Sequence, residues 1–551
     1  MSEDRFVDRV GTRLRERAAS VRESGPSAAV LTGTSVAFAV LTAVVLRYAP
    51  EYLRVLGVGP LGIGAFGSVG IGAGVTYTYW RRRRATDVRS STDAHGTAEE
   101  SRAGDDDFGD RLHLGLSRRS RAVAVGAATL GLVLWVLAPS LTGSTLLVWL
   151  LLAVGLVCLC PSAPLGFDGT VRLDSERGGR RVTPETTDAE GSDTGTTGIE
   201  TADDGVPEFG PVDIDATDVA LPAGFLVVAG LLALVPTFVG GFRLLAALGV
   251  ALGLVALALR WVGSGAEGTD VDANGTDGHT AIGTSPVPDS IAAVRADLRT
   301  LSDEAVRLLL GDTLLRATSG AVSVFLVITV TTVLGFGDNT TRFGLRPDAL
   351  FAVLVAVEAL VVLVARPLAA RLSDRIGAGP VAAAGAFVVS LVPISLVNAP
   401  ASPVVLIAVF GAYGLREAGR RAIETLARGA IEADAGTERW TNGIDAIGGE
   451  RTADDTSLAA GSTDGATPID GDGSTKGGLR TDGNGDEANP DSDPGAVFAS
   501  YRLARDAAVI PSALVGGALF AVSPQLAFGL ATALGLLGTR EVLYFCRPRR
   551  R

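Results

Sequence analysis

The chain has 551 residues, 47% of them hydrophobic and 20% charged, with a formal net charge of −12 and a mean hydropathy of +0.35. Those values exclude a single water-soluble globular domain and fit apolar membrane spans joined by acidic connections. Three cysteines and three histidines leave little metal chemistry. Cys158, Cys160 and Cys546 fall in or at the ends of apolar runs, and His95, His113 and His279 sit singly in polar stretches. The Cys-x-Cys pair has no partner cluster and reads as packing, so no metal, cofactor or enzyme site is expected.

Residues 1–26 carry Arg5, Arg9, Arg13, Arg15, Arg17 and Arg22 without an apolar core, an amphipathic lead-in rather than a cleavable signal. A membrane-crossing helix needs about 20 apolar residues. On that length the spans read 27–48, 61–80, 122–138, 144–160, 219–238 and 244–262, an N-terminal set over 27–262. Trp80 followed by Arg81 to Arg84 is an interfacial aromatic beside a positive stop. Polar connections at 81–119 and 165–217 are too poor in apolar residues to fold alone and are expected to be disordered. A cytoplasmic linker follows at 263–289.

The second set covers 290–546. Ile291, Val294, Leu298, Leu301, Ala305 and Leu308 recur at helical spacing, predicting a helix on the membrane surface that leads into a span at 314–334. Next comes an apolar run over 349–365 that stops at Arg366-Pro367, read as a tight charged turn, and then spans at 378–397 and 404–415. A basic amphipathic stretch leads to an acidic low-complexity insertion at 443–494, expected to be disordered. Spans at 497–521 and 525–545 precede a basic tail, 547–551. Long or arginine-rich connections alternate with short ones holding only Arg47 and Arg54, Arg243, or Arg342 and Arg346. Positive charge favours the cytoplasmic side, so both termini are expected there, in a multi-pass protein of the cell membrane.

The chain repeats itself. Shifted by 287 positions, the offset from Asp87 to Asp374, Gly33 meets Gly320, Phe38 meets Phe325 and Thr42 meets Thr329. In the same register Gly57 meets Gly344, Pro60 meets Pro347 and Arg84 meets Arg371. Chance apolar similarity does not align glycines, prolines and charges, so two related halves are expected. The turn between the eighth and ninth spans, with Asp374, Arg375 and Gly377 preceded by Arg371, resembles the signature loop of the major facilitator superfamily, Gly-x-x-x-Asp-Arg-x-Gly-Arg. Ala370 and Ala378 stand where that pattern has its first glycine and last arginine. In the first half only Asp87 is kept; Val88 and Ser90 replace the arginine and glycine. The resemblance implies an all-α membrane fold of twelve transmembrane helices in two pseudo-symmetric six-helix halves. It implies a secondary transporter that moves a small solute by alternating access, with proton or sodium coupling. It also implies that Asp374 and its neighbours form a gating loop, with Asp374 facing the start of the eleventh span around Tyr501 to Asp506. Arginine is nearly the only cation, lysine occurring once at Lys476, which resembles proteins of salt-loving archaea.

Ionisable residues inside spans are costly and are the first candidates for substrate or ion coupling. Glu358 lies deepest. Asp312 and Arg316, four apart, are read as a pair, and Arg540 and Glu541 lie in the twelfth span. Pro511 with Gly516-Gly517, and Gly224, Gly230 and Gly240-Gly241, are read as close helix packing. Few aromatics lie inside the predicted spans, so a pocket of flat rings is not expected. No phosphate-binding loop is present, which disfavours ATP-driven transport. No nucleic-acid partner is expected, and a monomer in the bilayer is. The competing reading is a transporter-like scaffold that moves nothing and shows its cytoplasmic loops to partners.

Overall fold

The computed structural model describes residues 26–93, 118–141, 144–160, 216–266, 291–334, 344–449 and 494–547, and among them every regular element is helical. In chain order the first helices are α1 (Pro26–Val55), α2 (Pro60–Asp93), α3 (Arg118–Leu141), α4 (Thr145–Leu159), α5 (Ala216–Leu234) and α6 (Phe238–Ala266). A short α7 (Ile291–Arg299) is followed by α8 (Asp303–Ser323) and α9 (Leu326–Ile328), which runs into a π-turn at Thr329–Val333. The chain continues through α10 (Pro347–Ile376), α11 (Ala378–Val397), α12 (Pro403–Gly414), α13 (Arg416–Gly449), α14 (Pro494–Val522) and α15 (Pro524–Phe545). Seven of these are long and apolar enough to cross a bilayer; an eighth span arises if α8 and the segment to Val333, bent by 48°, count as one. Shorter apolar helices lie at Ala122–Ala138, Thr145–Leu159 and Asp218–Leu234. The protein is a multi-pass helical membrane protein.

The internal repeat has a backbone counterpart. Gly57 and Gly344 both hold a positive φ, 85° and 72°, three residues ahead of Pro60 and Pro347, which open α2 and α10. Only glycine adopts that conformation without a Cβ penalty, and proline suits a first helical turn because its missing N–H has no partner there.

Several boundaries differ from expectation. The charged turn expected at Arg366-Pro367 is helix: α10 runs unbroken through Pro367 to Ile376. Gly377 alone, at φ 87°, turns the chain into α11. A proline inside a membrane helix is tolerated when packed neighbours occupy the freed backbone groups. Arg47 is likewise no loop charge, since α1 extends to Val55 and buries it. The surface helix expected to run into the seventh span breaks at Thr300. There the Ser302 side chain accepts from the Ala305 N–H at 3.3 Å, and Asp303 and Glu304 place negative charge in the first turn of α8. Of the expected insertion at 443–494, residues 443–449 are helical and 450–493 lie outside the described residues, as do 1–25 and most of the 81–119, 165–217 and 263–289 connections.

Two sets of helices pack side by side. Within the first, α1 lies along α6 and α5, and α3 along α4 and α6. In the second, α15 lies along α8 and α11, α11 along α13, and α10 along α12. They meet where α2 crosses α14 and α5 crosses α10. Lipid offers no hydrophobic drive for helix association, so van der Waals contact at small residues decides such crossings. At the α2–α14 crossing a Cβ on Gly517 would stand 2.9 Å from the Gly64 Cα, and the Ser68 hydroxyl accepts from the Leu514 N–H at 3.0 Å. Gly516 is similarly pressed on Ala321 and Gly224 on Val40, whereas Gly230 has open space around it.

Candidate functional site

The polar interior is organised on α10. Glu358 and Arg366 stand eight positions apart, about 12 Å along the helix, and each reaches both sets of helices. Glu358, 3% exposed, accepts on Oε1 from Arg47 of α1 at 3.0 Å and from Arg416 of α13 at 2.9 Å. The Arg416 guanidinium lies 3.7 Å from the centroid of the Tyr413 ring, a cation–π contact that the planar guanidinium suits. Among the described residues Glu358 Oε2 has no hydrogen-bond partner. Toward the end of α10, Arg366 donates to Asp218 of α5 at 2.7 Å and lies 3.9 Å from Glu417 of α13. Glu417 in turn lies 3.7 Å from Arg421 and 4.0 Å from Arg420. Breaking a buried pair costs about 3–5 kcal/mol because one charge stays behind uncompensated, so these contacts hold α1 and α5 to α10 firmly.

A second polar knot gathers where the middle of α8 meets α14. Asp312 accepts from Arg316 at 3.1 Å and from Arg505 at 3.0 Å. Asp506 takes Arg505 at 3.0 Å and Arg316 at 3.5 Å, and Arg502 meets Glu424 of α13 at 3.1 Å. Ser500 donates to Asp297, tying α7 to α14.

The opposite end of the bundle is aromatic. Tyr48 meets Phe351 edge-on at 5.3 Å and Phe238 at 6.0 Å, and Phe351 meets Phe410 at 6.0 Å. Tyr52 stacks on Phe242 at 4.0 Å, and Trp135 joins Phe242 to Phe66. The Tyr48 hydroxyl donates to the Asp348 carbonyl at 2.6 Å, crossing from one set of helices to the other. Rings scattered over six helices thus pack into one cluster at the same end of the bundle. The span pattern shows only how few there are in any one helix.

The expected site residues fall in different places. Asp312 and Arg316 lie in the polar knot with Arg505. Arg540 is 70% exposed and 3.8 Å from Glu541, a pair at the rim. Asp374 and Arg375 are exposed on the last turn of α10 and make no hydrogen bond or ion pair with another described residue; Arg371 is half-buried. The groups engaging α14 over Ser500 to Arg505 lie on α7, α8 and α13. Asp87 lies on α2, with its side chain outside the described residues. Sequence reasoning missed Arg47, Asp218, Arg416 and Glu417. An arginine inside the apolar run of α1 was the available signal for Arg47; Asp218 sits at a span boundary, where a carboxylate is unremarked.

The sequence matches no family model and no curated protein. Solved structures do share the architecture. The nucleoside transporter NupG superposes with a TM-score of 0.51 at 11% identity, covering 94% of this chain and 98% of that one. A point mutant of the same transporter gives 0.53 at the same identity and coverage. The chain shares the fold of that transporter. The α2–α14 and α5–α10 crossings join the two sets of helices, and the ion pairs of Glu358 and Arg366 bridge them.

Proposed function

We infer that the protein is a secondary transporter that carries a small solute across the cell membrane by alternating access. It crosses the bilayer twelve times in two six-helix halves, and its solute is coupled to a proton or sodium ion. One observation carries the reading: Glu358, in mid-span, is shared by an arginine from each half. A membrane scaffold has no need of a buried charge bridge between its halves. A transporter does, because the two halves must part and re-form contacts in every cycle, and a carboxylate that exchanges partners or a proton times that motion. Asp374 acts at the rim, where the signature loop biases the access-state equilibrium. The likeness to nucleoside transporters carries the fold and leaves the solute open.

The test uses the full chain in sealed vesicles, screened for solute-stimulated pH or sodium signals. Glu358→Gln should abolish ion-coupled accumulation while leaving passive solute exchange in part, and Asp374→Asn should slow both. Variants that both transport like the parent would remove these roles. A parent that moves nothing across a broad screen, yet captures a partner through its loops, would favour the scaffold.

A further inference from the structure

Resting on the transporter reading, we propose that Arg47 and Arg416 are the binding site for the anionic group, a carboxylate or phosphate, of the transported solute, and that Glu358 holds its place when the solute is absent. Three observations lead there. Both guanidiniums converge on a single oxygen, Glu358 Oε1, at 3.0 and 2.9 Å, so two cations share one acceptor atom. The other oxygen, Oε2, is buried with no hydrogen-bond partner among the described residues, so the carboxylate fills the site without using its full accepting capacity. An incoming carboxylate or phosphate presents two or more oxygens to the same donors, the geometry guanidinium forks bind best.

The location suits a solute. Arg47 belongs to one half and Arg416 to the other, so an anion held by both closes the halves upon itself. Two of the helices that supply the charges, α1 and α10, also carry Tyr48 and Phe351, whose rings pack together and, with Phe410 of α12, run toward the aromatic end. All three charged side chains are less than a tenth exposed, so no additional anion fits beside Glu358. The solute must therefore displace it, and the freed carboxylate is then able to take up the coupling proton. Binding is an exchange of one anion for another on a fixed pair of cations.

The exchange has a readable consequence. Removing the competing carboxylate with Glu358→Gln should tighten anion binding by about tenfold or more, a gain of about 1.4 kcal/mol. The experiment follows thermal unfolding of the full chain in lipid nanodiscs at constant ionic strength. Benzoate and inorganic phosphate are the charged probes; benzamide and trimethyl phosphate are their neutral counterparts. The expected result is a saturable stabilisation by benzoate or by phosphate, whichever class the site takes, and none by the neutral compounds. The affinity should rise in Glu358→Gln, weaken in Arg416→Lys and vanish in the Arg416→Gln/Glu358→Gln double variant. Equal responses to charged and neutral probes, no response to either anion in Glu358→Gln, or unchanged affinity in the double variant would each overturn the proposal. If the parent moves a neutral solute while binding neither anion, the anion site fails and the transport reading stands.

Discussion

The Arg366–Asp218 pair offers the sharpest energetic test of how the two sets of helices are held together. Its guanidinium nitrogen and carboxylate oxygen stand 2.7 Å apart, with the side chains 1% and 4% exposed. At an effective dielectric of about 20, a direct Coulomb attraction at that distance is about 6 kcal/mol. Desolvation of both ions offsets part of this, so the measurable quantity is the cost of removing one partner. Arg366→Gln strands Asp218 as a buried carboxylate and should cost about 3–5 kcal/mol. Asp218→Asn should cost less, about 1–3 kcal/mol, because Glu417 remains 3.9 Å from Arg366. The double variant should lose less than the sum of the singles by about 1–3 kcal/mol. The assay is SDS-driven unfolding of the full chain in mixed micelles, followed by far-ultraviolet circular dichroism and extrapolated for the four members of the cycle. Additivity within about 0.5 kcal/mol would refute the reasoning, for the pair would then be a geometric neighbour without energetic coupling.

The repeat glycines give a paired prediction. Gly57→Ala and Gly344→Ala should each destabilise the chain by about 1–2 kcal/mol, although a Cβ at either position meets no atom within 4 Å. A neutral result at either would separate that turn from its counterpart. Gly517→Val adds bulk where even a Cβ would lie 2.9 Å from the Gly64 Cα and 2.7 Å from the Pro60 carbonyl oxygen, so it should force α2 and α14 apart and lower the yield of monodisperse protein; parent-like behaviour in size-exclusion chromatography would disprove the close crossing. Single cysteines placed in 165–217 and 443–494, in a cysteine-free background, should resist an impermeant thiol reagent in intact cells and react after lysis. Labelling of either in intact cells would overturn the twelve-span orientation.

Much of this protein is written along its length. A span is a matter of about 20 consecutive apolar residues, so the class of fold follows from composition without any tertiary contact. The repeat is legible because backbone requirements act locally: a positive φ needs glycine at Gly57 and Gly344 whatever surrounds them, and a helix start favours the proline that follows each. Glu358 stands out for the same kind of reason, since a carboxylate amid apolar residues is costly before any partner is known. Where a charge interrupts an apolar run, local reasoning is weaker. Arg366-Pro367 reads as the end of a span, and only the presence of Asp218 and Glu417 beside it explains why the helix continues to Ile376 with an arginine 1% exposed. The partners of Glu358 were beyond the reach of the sequence altogether. Arg47 lies 311 positions away in the chain, and whether it faces Glu358 or lipid depends on the rotation of α1 about its own axis and on how far α10 slides along it. Those two quantities are set by small residues meeting at helix crossings across the whole bundle. The tertiary structure alone therefore decides which buried charge neutralises which.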